Sequence, residues 1–135
     1  MANVGINQAS AVLKAPYEIF QKVGEAYELM VLAMREVIAI SKKVGIYLNE
    51  DDIVEFDKVL HTLSPDGKTS MLQDMEAGRK TEVEMFAGTV IELGRKNGVD
   101  TPVNEVLFQM IRTLEQMSGA NGVIHFSKGS ILQYS

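Results

Sequence analysis

The segment from Glu25 to Val44 constrains this chain most. Its polar positions Glu25, Glu28, Arg35, Glu36, Lys42 and Lys43 fall on one stripe at three- and four-residue spacings. Most of the rest is apolar: Leu29, Met30, Val31, Met34, Val37, Ile38 and Ile40. An α-helix completes a turn in 3.6 residues, so this pattern is one narrow wetted stripe on an otherwise covered rod. The spacing predicts a central helix with neighbours on most sides. Lys42 and Lys43 suit the negative end of its dipole, and Gly45 supplies a left-handed stop.

The flanking segments share the helical period. Asn3 to Leu13 predicts a helix ended by Pro16, which disfavours helical backbone at Ala15, and a short helical piece follows at Tyr17–Val23. Asn49 opens a helix over Glu50–Leu63, with Asp51 and Asp52 in its first turn and Val54, Phe56, Val59, Leu60 and Leu63 as its buried side. Ser64-Pro65-Asp66-Gly67 predicts a turn in which proline fixes φ and glycine takes the left-handed position. Ser70-x-x-Gln73 has the form of a capping box, with Ser70 as N-cap of a short helix ending near Gly78. Thr81-x-x-Glu84 is a second box, opening a helix through Lys96 that Asn97-Gly98 ends. Thr101-Pro102 places a cap before a proline at the first helical position. Val103, Val106, Leu107, Met110, Ile111, Leu114 and Met117 then mark the last helix. Strand alternation is absent, so the expected class is all-α: a bundle of about six to seven helices. Residues 1–117 make the domain, and 118–135, with Gly119, Gly122 and Gly129, form an extended or poorly ordered tail.

Composition excludes several functions. At 135 residues the chain is one ordinary domain. It has no cysteine, hence no disulfide or thiolate metal site, which fits a reducing compartment. Net charge is −5 without a long basic run, which argues against a nucleic-acid partner. No apolar run approaches the roughly 20 residues of a membrane span, and the N-terminus lacks a secretory pattern; a cytoplasmic protein is expected. His61 and His125 have no metal-ligand spacing, so no metal is expected. A nucleophile elbow, a phosphate loop and a strand followed by G-x-G-x-x-G are all missing, so no part of this chain is expected to bind a dinucleotide. Composition and spacing leave open a non-catalytic helical module for dimerisation or ligand binding.

Local segments say more. Thr69-Ser-Met-Leu-Gln-Asp-Met-Glu-Ala-Gly-Arg-Lys-Thr-Glu-Val-Glu84 resembles the ketopantoate reductase (2-dehydropantoate 2-reductase) family, which shows a serine-methionine segment, a basic stretch and a T-E-V/I helix start. The likeness continues through Gly88, Gly94, Asn97-Gly98-Val99 and Thr101-Pro102-Val103-Asn104, and Asn3-Val-Gly-Ile-Asn7 resembles the family's asparagine pair four apart. The resemblance implies the helical C-terminal domain of a two-domain enzyme, similar to that of 6-phosphogluconate dehydrogenase. The NADPH-binding Rossmann domain would lie outside this chain. The proton-donating lysine, expected four residues before the first asparagine, would fall just upstream of Met1.

By the same resemblance Asn3 and Asn7 hold the substrate hydroxyl and orient that lysine. Ser70 binds the substrate carboxylate, and catalytic Glu82 pairs with the lysine or the substrate hydroxyl, tuning the proton donor. The implied function is reduction of ketopantoate to pantoate for coenzyme A synthesis, with another 2-keto acid as the alternative substrate. Asp74, Arg79 and Lys80 belong to the frame of the motif, the two basic residues as a solvated pair. The isolated chain is expected to be inactive, and an apolar face left open by the missing domain makes a homodimer possible.

Overall fold

A computed structural model describes residues 1–118, and the expected tail lies outside the described residues apart from Ser118. Seven α-helices and one π-helical turn follow in order: α1 Ala2–Leu13, α2 Tyr17–Lys22, α3 Gly24–Lys43, α4 Glu50–Leu60, α5 Ser70–Glu76, the π-helical turn Glu84–Gly88, α6 Thr89–Asn97 and α7 Pro102–Met117. There is no strand among the described residues.

α3 is the centre. It packs against α1, α2, α4, α6 and α7, and Met30, Met34, Ala33 and Val31 on it are buried. α1 crosses α3 closely because Gly5 carries no side chain: a Cβ there would lie 2.8 Å from the Met30 carbonyl oxygen and 2.7 Å from Met34 Cγ. The main core joins α1, α2, α3 and α4 through Ile6, Ala9, Phe20, Met30, Met34, Ile53 and Leu60. A second, smaller cluster is built from Ala11, Met71, Val83, Ala87 and Ile111, drawn from α1, α5, the π-helical region and α7. A third joins Val4, Ile40 and Val90.

The helix ends largely follow the sequence. Gly45 has φ 79°, and the Ile46 N–H reaches back to the Ser41 carbonyl at 2.9 Å, closing a Schellman stop on α3. Gly98, at φ 69°, ends α6 in the same left-handed conformation. Asn49 caps α4, and Asp52 returns the bond to the Asn49 N–H. Pro102 begins α7.

Five expectations need correction. Gly67 is not left-handed: it closes the turn onto the Ser64 carbonyl at 2.9 Å, and a Cβ there would come within 3.0 Å of the Tyr17 ring. The carbonyls of Pro65 and Gly67 accept the first N–H groups of α2, from Glu18 and Tyr17, so this turn caps a helix with no side-chain cap of its own. α4 ends at Leu60, and Val54 and Val59 are half-exposed while Ile53 takes the buried position. On α7 only part of the apolar stripe is covered: Leu107 and Ile111 are buried, whereas Val106, Met110 and Met117 are exposed.

Glu36 is not part of the wetted stripe of α3. It is half-buried, and its carboxylate accepts the backbone N–H groups of Val103 at 2.8 Å and Asn104 at 2.9 Å. The cap of α7 is therefore a side chain from another helix, and Thr101 makes no side-chain cap bond. Finally, the helix expected from Thr81 through Lys96 is interrupted. Its first turn is widened into the π-helical turn before regular α6 begins at Thr89.

Candidate functional site

The four residues singled out in the sequence sit on three elements. Asn3 is exposed in the first turn of α1, preceded by Met1 as N-cap, so it is not itself the cap. Asn7, one turn on, is only 6% exposed. Among the described residues its side-chain amide makes no hydrogen bond, yet neither amide atom is a fully buried unpartnered group, so the tip of the side chain stays open to water or a ligand. Its backbone carbonyl accepts from Ser10 Oγ at 3.0 Å.

Ser70 is exposed, and it is not the N-cap of α5. Thr69 is: its Oγ1 accepts the Leu72 N–H at 3.2 Å. The expected return bond from Gln73 to the cap residue is replaced by one from Gln73 Nε2 to the Lys68 carbonyl at 3.0 Å. Thr69 Oγ1 also lies 2.5 Å from Ser10 Oγ. Since Ser10 already donates to the Asn7 carbonyl, Thr69 is the donor of that pair. One hydroxyl chain thus runs from the Asn7 turn of α1 to the start of α5. With the capping duty taken by its neighbour, the Ser70 hydroxyl stands free at the first turn of a helix.

Glu82 is exposed between two buried residues, Thr81 and Val83. Thr81 caps the helix start weakly, accepting the Val83 N–H at 3.3 Å. Glu84 does not complete a box with it; Glu84 pairs instead with Arg112 of α7. The reciprocal acceptor is Glu115, also from α7, whose Oε2 takes the Thr81 N–H at 2.6 Å and the Thr81 hydroxyl at 2.8 Å.

The small second core draws these parts together. Ala11 lies one turn beyond Asn7, Met71 follows Ser70 and Val83 follows Glu82, and all three share that cluster. Ser70 and Glu82 are therefore each flanked by a residue of one packed centre, whereas Ile6, beside Asn7, belongs to the main core and Val4, beside Asn3, packs with Ile40 and Val90. A groove of about 930 Å3 between α6 and α7 is lined by none of the four. Arg79 pairs with Asp74 at 3.0 Å and Lys80 is exposed.

Buried polar residues support this arrangement. Gln8, next to Asn7, has no exposed surface; its Nε2 donates to the Val4 carbonyl at 2.7 Å and to Asn104 Oδ1 at 3.0 Å. Asn104, equally buried, donates in turn to Glu36 Oε1 at 2.6 Å and the Ala33 carbonyl at 3.2 Å. Beyond its place as a helix-start residue in the motif, Asn104 and Glu115 had a signal in the sequence. Positions 104, 107, 111 and 115 form one stripe at helical spacing with Leu107 and Ile111, so both polar residues fall on the covered face of α7.

The domain is all-helical among its described residues, and Ser70 and Glu82 each adjoin a residue of its second core. The family model "Ketopantoate reductase PanE/ApbA C terminal" matches residues 1–115, and the chain belongs to that family. A curated relative, the 2-dehydropantoate 2-reductase of Pyrobaculum aerophilum, is 31% identical over 117 residues, covering 85% of this chain and 41% of the relative. The crystal structure of a PanE/ApbA family ketopantoate reductase from Ralstonia eutropha superposes with a TM-score of 0.78 at 25% identity, covering 87% of this chain and 39% of that one. D-mandelate dehydrogenase, in a ternary structure with NADH and anilino(oxo)acetate, shares the fold with a TM-score of 0.80 at 20% identity, over 90% of this chain and 67% of that one. This chain spans about two-fifths of the first two relatives.

Proposed function

We propose that this domain is the substrate-holding part of an NADPH-dependent 2-keto acid reductase acting on 2-dehydropantoate. Its family membership supports the reductase class, and the exposed Ser70 hydroxyl, relieved of capping by Thr69, carries the site assignment. A 2-keto acid presents a carboxylate beside a carbonyl that becomes a hydroxyl. Ser70, at the positive end of α5, can donate to the carboxylate, where the helix dipole favours an anion. The amide of Asn7, helped by Asn3, can hold the carbonyl oxygen and the hydroxyl it becomes. Glu82 can pair with the group that protonates that oxygen, or with the hydroxyl itself, and so orient the proton donor.

The described residues contain no strand, so the strand–turn–helix unit that seats a dinucleotide is not among them. The reducing cofactor and the proton-donating lysine are assigned to a separate N-terminal region, with residues 1–117 as the helical substrate domain. No helix of the described residues is long and apolar enough to cross a membrane.

The experiment joins this domain to its nucleotide-binding partner and follows NADPH consumption with 2-dehydropantoate and other 2-keto acids. The 135-residue chain alone should show no turnover. In the two-domain protein Ser70→Ala should raise KM and Glu82→Gln should lower kcat, each by about 10-fold or more, with thermal midpoints close to the parent. Turnover by the chain alone, or near-normal kinetics in both variants, would overturn the assignment.

A further inference from the structure

We propose that Glu115 is the positioning residue for Glu82, holding the Thr81–Glu82 backbone to α7 through two hydrogen bonds on one carboxylate oxygen. This rests on the reading that Glu82 belongs to the keto acid site.

Glu115 has no exposed surface, and burying a carboxylate is unfavourable unless strong donors compensate it. The compensation is one-sided. Oε2 receives both Thr81 donors, at 2.6 and 2.8 Å. Among the described residues Oε1 has no hydrogen bond, and Arg112 Nε, also without one, stands 3.7 Å away.

A helix start does not require this arrangement. The Thr81 hydroxyl already accepts the Val83 N–H, and Glu84 occupies the position from which a local acid closes a capping box. Glu84 is turned to Arg112 instead, and an acid 34 residues downstream does its work. The consequence is positional. A local box would fix Thr81 only relative to its own helix, whereas Glu115 fixes it relative to α7. A reference outside the segment matters here because the next turn is π-helical, a distortion common at functional sites. Val83, 1% exposed, pins the other side of Glu82 in the second core. Glu82 thus has an immobilised neighbour on each side and a free carboxylate.

Glutamine cannot replace Glu115 silently. Its NH2 group would face either the two Thr81 donors or the Arg112 guanidinium, donor against donor in both cases. Aspartate keeps the charge but falls one methylene short.

The test has two arms. In the 135-residue chain, amide exchange at Thr81 is compared between the parent, Glu115→Gln and Thr81→Val, with Val90 as a core reference and circular dichroism to verify folding. Exchange at Thr81 should accelerate about 10-fold or more in Glu115→Gln while Val90 holds. In the two-domain reductase, Glu115→Gln should lower kcat by about 10- to 100-fold with KM nearly unchanged. The same change made on a Glu82→Gln background should cost nothing further. Thr81→Val should follow Glu115→Gln in kind, and Thr81→Ser should restore the parent rate; these serve if Glu115→Gln does not fold. Equal fold-losses with and without the Glu82 carboxylate would make Glu115 a general support and overturn the proposal. Unchanged Thr81 exchange would overturn it too. A fully active Glu82→Gln enzyme would instead remove Glu82 from the site, and the exchange arm would still decide whether Glu115 anchors Thr81.

Discussion

The residues at the candidate site divide the labour by adjacency. Gln8 is anchored beside Asn7, Thr69 beside Ser70 and Thr81 beside Glu82. Each anchored neighbour is buried and hydrogen-bonded, and two of the three residues it flanks are exposed. Ser70 and Glu82 were legible in the sequence because short motifs carry them. Their duties were not, because Ser70 and Thr69 are both good capping residues and only the backbone decides which of two adjacent hydroxyls caps. A glycine shows the tolerance at this scale. A Cβ at Gly94 would stand 2.7 Å from the Val99 carbonyl oxygen and 2.9 Å from Thr101 Cγ2, and the first of these is backbone. Gly94→Ala should destabilise the chain by about 1–3 kcal/mol, the usual cost of overpacking, read from the urea midpoint. An unchanged midpoint would mean that the α6–α7 connection yields freely.

At the scale of elements, helix existence was readable throughout and helix termini less so. α1, α2, α3 and α5 lie within a residue or two of their expected bounds because periodicity, proline and glycine mark them locally. Two of the failures share one cause, since the deciding partner lies far along the chain. Glu36 caps α7 from 67 residues away, and Arg112 diverts Glu84 across 28 residues; neither has a local trace. Glu36→Ala would strip an acceptor from the N–H groups of Val103 and Asn104 and from the Asn104 amide. Because the site is half-buried, water replaces only part of that loss. A cost of about 1–3 kcal/mol is expected, seen as a lower thermal midpoint with helix content kept below the transition. A loss under about 0.3 kcal/mol would mean that water caps α7 as well as Glu36 does.

For the whole molecule, the all-α class followed from periodicity, and the central place of α3 from the narrowness of its polar stripe. The division of the interior into one large and two small cores did not follow, because spacing shows which face is covered and not by what. Neither core contains any of the four candidate residues, but Met71 and Val83 of the second cluster stand next to Ser70 and Glu82, and Ile111 of α7 completes that cluster. Removing residues 102–135 should therefore leave α1 to α4 helical by circular dichroism while Thr81 and Val83 lose exchange protection. Retained protection at Thr81 would show that α7 is dispensable to this end of the bundle.

The bond from Glu115 back to Thr81 also has a meaning in time. A polypeptide leaves the ribosome from its N-terminus, and Asn3, Asn7, Ser70 and Glu82 have all emerged while α7 is still being made. Until Glu115 arrives, Thr81 lacks the acceptor that ties it to α7. The nascent domain can collapse around α3 early, yet under the proposed function it gains a defined grip on a keto acid only when its last described helix is home.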